Sequence, residues 1–446
     1  MGNFSIMRNA ECGVRSAGLG TRGSGLGRLR IADRGLRIVP SAECGVRSAG
    51  LGTRGSGLGR LRIANCGLRI GTLFPEFLSS IFRLRIANCG LRIGQRVLAL
   101  TMAGFLLLAG AAGAARGAVL RVCATTPDLG SLAGEVGGDR VAVTVFAKGT
   151  EDPHFIEARP AFLKELSQAK LYLQTGLGLE EGWAPALLQN CRNAAVMPGG
   201  PGYLDAGSVI APLGAPAGAV DRSMGDVHAA GNPHYLQDPL NGLRVAAAIR
   251  DRLSSLDPAG KEQYAQRFQE FRGRLLAALV GPALAQKYDG EKLALLQERG
   301  GLTEFLRSRG QADQLGGWLG RMAPFAGARA AADHDMWPYF GRRFGLRIDA
   351  FLEPRPGVSP TTRHLGELIS RMRAEGIRII LSAAYFDPRH AQFVAGKAGA
   401  AVVPAANQVG SRPGAGDYLA MIEYNVRQVS DALKGARPVA GAGKGQ

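Results

Sequence analysis

The chain has 446 residues, of which 46% are hydrophobic and 20% are charged. This length accommodates two domains with a sizeable core, and the composition excludes collagen-like, coiled-coil and wholly disordered chains. A formal net charge of +18 would by itself suggest a nucleic acid or an anionic membrane as the partner.

The first 94 residues are repetitive and hold most of that charge, with 15 arginines and only four acidic residues. Residues 10–32 recur letter for letter at 42–64, and RLRIANCGLRIG occurs at 60–71 and again at 83–94. Structural repeats diverge at surface positions, whereas these do not, so we interpret residues 1–94 as a misplaced start or a disordered segment. A basic nucleic-acid-binding arm is the alternative, although the segment lacks interleaved aromatic residues.

Residues 95–118 have the pattern of a secretory signal peptide. The stretch 97–115 carries no charge, follows Arg92 and Arg96, and ends in small residues that suit cleavage near Val119. A transmembrane anchor is the alternative, because a stretch of this length can just span a bilayer. We therefore expect a protein that is secreted through a signal peptide into the periplasm or another extracytoplasmic compartment.

From residue 119 onward, apolar strand patterns alternate with helical patterns. Strands are predicted at 119–125, 141–147, 171–176 and 194–198, and later at 327–333, 346–352, 377–383 and 401–403. Strands separated by helices predict parallel sheets, so the expected fold class is α/β. We expect two Rossmann-like lobes joined by a long rigid helix, with a site in the cleft between the lobes. The predicted segments are an N-terminal lobe at 119–239, the linking helix at 240–280 with a break indicated at Asp257-Pro258, an inserted helical and loop segment at 281–324, a C-terminal lobe at 325–436 and a flexible tail at 437–446.

Three of the six histidines follow a Pro or Asp directly and lie between a strand or loop and a helix. They are His154 in DPHFIEARP, His234 in GNPHYLQDP and His334 in HDMWPYFGRRFGL. Ligands of open α/β sheets bind beyond the carboxyl ends of the strands, so each lobe can offer imidazole to the cleft. Neutral imidazole is a ligand for Zn²⁺, whereas Mn²⁺ prefers oxygen.

These motifs, together with LYLQTGLGLEEGW at 171–183, make residues 119–435 similar to the solute-binding proteins of zinc and manganese ABC importers. The resemblance implies that His154, His234 and His334 bind a metal, with Zn²⁺ expected and Mn²⁺ less favoured. It also implies a protein that is not an enzyme, whose partners are a permease and its separate ATPase. We expect a monomer, and no nucleic-acid partner for the mature region.

One departure from the family concerns the fourth ligand, which is usually an Asp or Glu late in the second lobe. Asn407, in PAANQVG, stands at about that position and offers only a neutral carbonyl oxygen. Water or His228 is the alternative fourth ligand, and the loss of the carboxylate favours zinc. Candidate acceptors for the free imidazole N–H groups are Glu157, Asp238 and Asp335.

Two further interpretations remain open at this stage. Three histidines and a water also describe a catalytic zinc, so a secreted zinc-dependent enzyme is the second hypothesis, although no HExxH motif accompanies it. Cys123 and Cys191 could form a disulfide in an oxidising compartment. His364 and His390 lie at predicted helix starts and are expected to be surface residues.

Overall fold

The computed structural model describes residues 119–216, 228–355 and 357–436. The repeats at 1–94, the signal peptide predicted at 95–118 and the tail at 437–446 lie outside these residues and stay predictions. Within the described ranges, no helix is long and apolar enough to cross a membrane.

The N-terminal lobe is built on a four-stranded parallel sheet in the order β2-β1-β3-β4. Proline lies in the first turn of each of its helices, where a missing backbone N–H costs nothing. The elements are β1 (Leu120–Ala124), α1 (Pro127–Gly137), β2 (Val141–Val145), α2 (Pro160–Gln168), β3 (Leu171–Gln174), α3 (Ala184–Asn190) and β4 (Tyr203–Asp205).

The fourth strand predicted at 194–198 is wrong. Ala194–Val196 forms a short 3₁₀ helix, because the Asn193 side chain accepts a hydrogen bond from the backbone N–H of Ala195 and caps the turn. The fourth strand is β4, which has three residues and is too short to show a strand pattern in the sequence.

Two long helices, α4 (Pro239–Leu256) and α5 (Lys261–Val280), connect the two sheets where one linking helix was predicted. The helical run is interrupted at the indicated break by a 3₁₀ turn at Pro258–Gly260. Asp257 accepts hydrogen bonds from Arg140 and Tyr264 at this break. The inserted segment forms four short helices: α6 (Pro282–Lys287), α7 (Gly290–Glu298), α8 (Leu302–Arg307) and α9 (Gly317–Met322).

The C-terminal lobe repeats the plan of the first lobe. Its parallel sheet has the order β6-β5-β7-β8, which is the same sequence of crossovers as in the N-terminal lobe. The elements are β5 (Arg329–Ala332), α10 (Pro338–Phe344), β6 (Arg347–Phe351), α11 (Thr362–Ala374), β7 (Ile379–Ser382), α12 (Pro388–Ala398), β8 (Ala401–Pro404) and α13 (Tyr418–Ala436). The predicted fold class of two α/β lobes is therefore confirmed.

One hydrophobic core runs continuously from the first sheet through α4 and α5 to the second sheet. A smaller cluster packs on the other face of each sheet. Cys123 and Cys191 are buried together in the cluster of the N-terminal lobe and are both free thiols, so the disulfide considered above is not formed in this structure. Burial raises the pKa of the Cys123 thiol to about 12, which keeps it protonated.

The loop after β8 joins the two lobes directly. The Asp128 carboxylate on α1 accepts the backbone N–H of Val409 at 2.7 Å, and the Gln408 amide donates to the Glu151 carbonyl at 3.3 Å. The backbone of this loop passes so close to Gly149 that a Cβ there would collide with it. The lobes are thus held in contact by backbone groups on both sides.

Asp128 gives this contact a pH dependence. Burial raises the pKa of its carboxyl to about 7, although the hydrogen bond from Val409 opposes the shift. The folded state then binds more protons than the unfolded state between about pH 4 and pH 7, so this group's contribution to stability falls as pH rises through that window.

We predict that Asp128→Asn removes this fall, because an amide keeps the acceptor oxygen and does not titrate. As pH rises from about 4 to 7, the unfolding free energy of the wild type should fall relative to that of the variant. The fall should be at most about 1.4 kcal/mol per pH unit. Urea unfolding of both proteins at several pH values measures the difference, and equal pH profiles would contradict the assignment.

Candidate metal centre

Four imidazole rings from three segments of the chain converge in the cleft. His154 lies in the loop after β2, His228 and His234 lie in the segment before α4, and His334 follows β5. The ring centroid of His154 is 5.2 Å from that of His228, 5.3 Å from that of His234 and 6.1 Å from that of His334. The rings of His234 and His334 are 5.8 Å apart. The structure therefore brings together the four histidines that the sequence analysis considered as metal ligands.

Two carboxylates fix the orientation of two of these rings. Nδ1 of His154 is 2.8 Å from Oδ1 of Asp152, and Nδ1 of His334 is 2.8 Å from Oε2 of Glu353. A carboxylate accepts from the protonated ring nitrogen, so the other nitrogen, Nε2, keeps its lone pair. Both imidazoles are thus held in the tautomer that a metal ligand needs.

The remaining two rings present nitrogen atoms without such partners. Nε2 of His228 lies 3.1 Å from Nε2 of His154. Nε2 of His234 is buried and has no hydrogen-bond partner, while the backbone N–H of that residue donates to Oδ1 of Asn232. A buried polar atom without a partner is costly. An ion bound at this nitrogen would remove that cost.

Burial also keeps the imidazoles of His228 and His234 neutral. It lowers the pKa of His228 to about 4, with the neighbouring His154 and His334 adding to the shift, and it lowers the pKa of His234 well below its usual value. Protonated imidazole cannot bind a metal. At neutral pH the cluster therefore has unprotonated nitrogen atoms available.

The rings form a cluster of candidate ligands and not a closed coordination shell. In the described part of the chain, no three His, Cys, Asp or Glu side chains are already arranged to hold an ion. Asn407 is buried and lines a small cavity that His234 also lines, with its Oδ1 3.5 Å from the backbone nitrogen of Ala384. His364 and His390 lie outside the cluster: Nε2 of His364 contacts the Phe351 carbonyl, and His390 is exposed.

The acceptors of the imidazole N–H groups differ from those proposed from the sequence. Glu157 is exposed, Asp238 pairs with Arg343, and Asp335 has no such contact to a histidine ring among the described hydrogen bonds. Asp152 and Glu353 take this role, and sequence reasoning missed both. Asp152 stands two residues before His154, which was an available signal, whereas Glu353 reaches His334 only because β5 and β6 are neighbours in the sheet.

The chain matches the sequence model of a known family, the periplasmic zinc-uptake complex component A, over residues 122–279 and 309–432. It is 26% identical over 189 residues to the manganese ABC transporter substrate-binding lipoprotein PsaA of Streptococcus mitis, covering 40% of this chain and 55% of the relative. It is 30% identical over 145 residues to the manganese-binding lipoprotein MntA of Halalkalibacterium halodurans, covering 32% of this chain and 42% of the relative. The chain thus spans about half the length of the curated relatives it matches.

Solved structures support the same fold. The crystal structure of ZnuA has a TM-score of 0.51 at 21% identity, covering 70% of this chain and 99% of that one. The Cd-bound periplasmic metal-binding protein of Candidatus Liberibacter asiaticus has a TM-score of 0.51 at 19% identity, with the same coverage. The resemblance inferred from the motifs is confirmed. Because the family and the named relatives are uptake and transport components, the hypothesis of a zinc-dependent enzyme is not supported.

We predict that Glu353→Ala weakens metal binding by on the order of 10-fold, because His334 loses the acceptor that orients its ring. Glu367→Ala is the matched control, since Glu367 pairs with Arg363 on the exposed face of α11. Competition with a chelator measures both affinities. Equal affinities in the two variants would show that Glu353 does not orient a ligand.

Proposed function

We propose that this chain is an extracytoplasmic solute-binding protein that captures a divalent transition-metal ion. The chain belongs to the family of periplasmic zinc-uptake complex component A, which supports this function. The ion is Zn²⁺, and the recipient is the permease of an ABC importer that a separate ATPase drives. The observation that supports this most is the convergence of four imidazoles, from loops of both lobes, on one place in the cleft.

The spacing of one pair of nitrogen atoms suits zinc. Two ligand nitrogens on a tetrahedral Zn²⁺, each at about 2.0–2.1 Å, are about 3.3 Å apart. Nε2 of His154 and Nε2 of His228 are 3.1 Å apart, which needs little adjustment. The unpartnered Nε2 of His234 and the oriented ring of His334 supply the third and fourth nitrogens.

Zinc is favoured over manganese because the donors in this cluster are nitrogen atoms. Mn²⁺ prefers carboxylate and carbonyl oxygens. The carboxylates of Asp152 and Glu353 already accept from imidazole Nδ1 atoms, and the Asp333 carboxylate accepts the backbone N–H of Ala383. Some relatives are named for manganese, so the nitrogen-rich site is the feature by which this chain would differ from them.

His228 is the proposed fourth ligand in place of the carboxylate that the family usually has. Its ring stacks on that of His154, and its low pKa leaves the nitrogen unprotonated at neutral pH. Asn407 is the weaker candidate, because its Oδ1 is directed at the backbone of Ala384.

The first test is a titration of the metal-stripped protein with Zn²⁺ and Mn²⁺ in competition. We expect one tight Zn²⁺ equivalent, little displacement by Mn²⁺, and loss of tight binding in His154→Ala. His390→Ala is the control, because His390 is exposed and lies outside the cluster. Preference for Mn²⁺, or no tight binding at all, would overturn the proposal.

The second test separates the two candidates for the fourth ligand. We expect His228→Ala to weaken Zn²⁺ binding by at least tenfold, on the scale of losing one ligand, and Asn407→Ala to change it little. Isothermal titration of both variants gives the affinities. The reverse pattern would assign the fourth position to the amide oxygen of Asn407.

A further inference from the structure

The loop that carries His234 is tied to the loop that carries His334 by one asparagine. Oδ1 of Asn232 accepts the backbone N–H of His234 at 3.0 Å, and its Nδ2 donates to the carbonyl of Asp335 at 2.6 Å. The Asn232 carbonyl also accepts the Tyr339 hydroxyl at 2.8 Å. Asn232 thus contacts the backbone of His234 and that of Asp335, the residue after His334.

A buried ion pair makes a second connection between the same two chain segments, farther towards their C-terminal ends. Nε and Nη2 of Arg343, on α10, donate to the two carboxylate oxygens of Asp238 at 2.8 and 2.9 Å. Arg343 is 1% exposed and Asp238 is fully buried. Two further N–H groups of Arg343 donate to Ala294 and Glu298 of α7, so four hydrogen bonds hold the guanidinium.

The same carboxylate holds the start of α4. Oδ1 of Asp238 also accepts the backbone N–H of Leu240, which caps the helix that follows the His234 loop. Between His234 and Asp238 the chain makes a single 3₁₀ turn, Tyr235–Gln237. The hydroxyl of Tyr235 in this turn donates to the Thr175 carbonyl. The position of Asp238 is therefore transmitted to His234 through a short and well-bonded segment.

We propose that Asn232 and the Asp238–Arg343 pair are positioning residues that fix His234 relative to His334 before metal arrives. This inference rests on the proposed function. It makes the imidazoles of His234 and His334 a part of the site that is preorganised through the backbone of their loops. A positioning role explains why this chain has an ion pair here, because a buried ion pair often adds little to stability and can often be replaced by apolar residues.

The chain offers a matched control at the other end of α4. Asp257 accepts from Arg140 at 2.8 Å and from the Tyr264 hydroxyl at 2.8 Å, and this pair is also mostly buried. Asp257→Asn and Asp238→Asn therefore remove the same charge from the two ends of one helix. Only Asp238 lies near the histidine loops.

The experiment uses the full chain and compares wild type, Asp238→Asn, Arg343→Lys, Asn232→Ala and Asp257→Asn. Zn²⁺ affinity is measured by chelator competition, site geometry by the visible absorption of bound Co²⁺, and stability by urea unfolding. We expect the first three variants to lose on the order of tenfold in Zn²⁺ affinity and to shift the Co²⁺ spectrum. Asp257→Asn should lower stability and leave affinity and spectrum as in wild type.

The outcomes are distinguishable. If Arg343→Lys and Asn232→Ala lose stability but keep wild-type affinity and an unchanged Co²⁺ spectrum, the residues are structural only and the inference is wrong. If Asp257→Asn shifts the spectrum as much as Asp238→Asn, the effect is general and the inference also fails. If Asp238→Asn does not fold, Arg343→Lys and Asn232→Ala decide the question. Wild type that binds neither ion would overturn the proposed function, and this inference with it.

Discussion

The histidine cluster depends on the continuous hydrophobic core that joins the two sheets through α4 and α5. His154, His234 and His334 are far apart in sequence, so only a folded scaffold can bring their rings within about 6 Å of one another. Because both lobes pack on the same two helices, the carboxyl ends of β2 and β5 are held at a fixed distance. The polar cluster is therefore a consequence of apolar packing.

Much of this arrangement could be predicted from the sequence. Strands such as Ile379–Ser382 are continuous apolar runs, which is typical of a strand covered on both faces of a parallel sheet. The three motif histidines follow strands or precede helices, so the general rule for open α/β sheets places them at the cleft. His228 was a weaker candidate because it belongs to no strand end, and only the folded loop shows its ring stacked on His154.

The rest could not be predicted, for identifiable reasons. Glu353 and His334 are neighbours because β6 lies beside β5 in the sheet. The hydrophobic periodicity of a strand predicts the strand but not which strand lies beside it. Arg343 and Asp238 form a pair across more than one hundred residues, whereas the sequence suggested Asp238 only as an acceptor for an imidazole N–H group. The three-residue strand β4 is defined by its pairing with β3 and not by its composition.

The contact between α1 and the loop after β8 has a consequence for synthesis. Asp128 bonds to Val409, and Ser131 accepts the backbone N–H of Tyr418, so the first helix of the fold is completed by one of its last segments. During synthesis, α1 emerges from the ribosome long before the loop after β8 does. In a nascent chain these two contacts of α1 would therefore form only after the loop that follows β8 has emerged, well after the four strands of the first sheet.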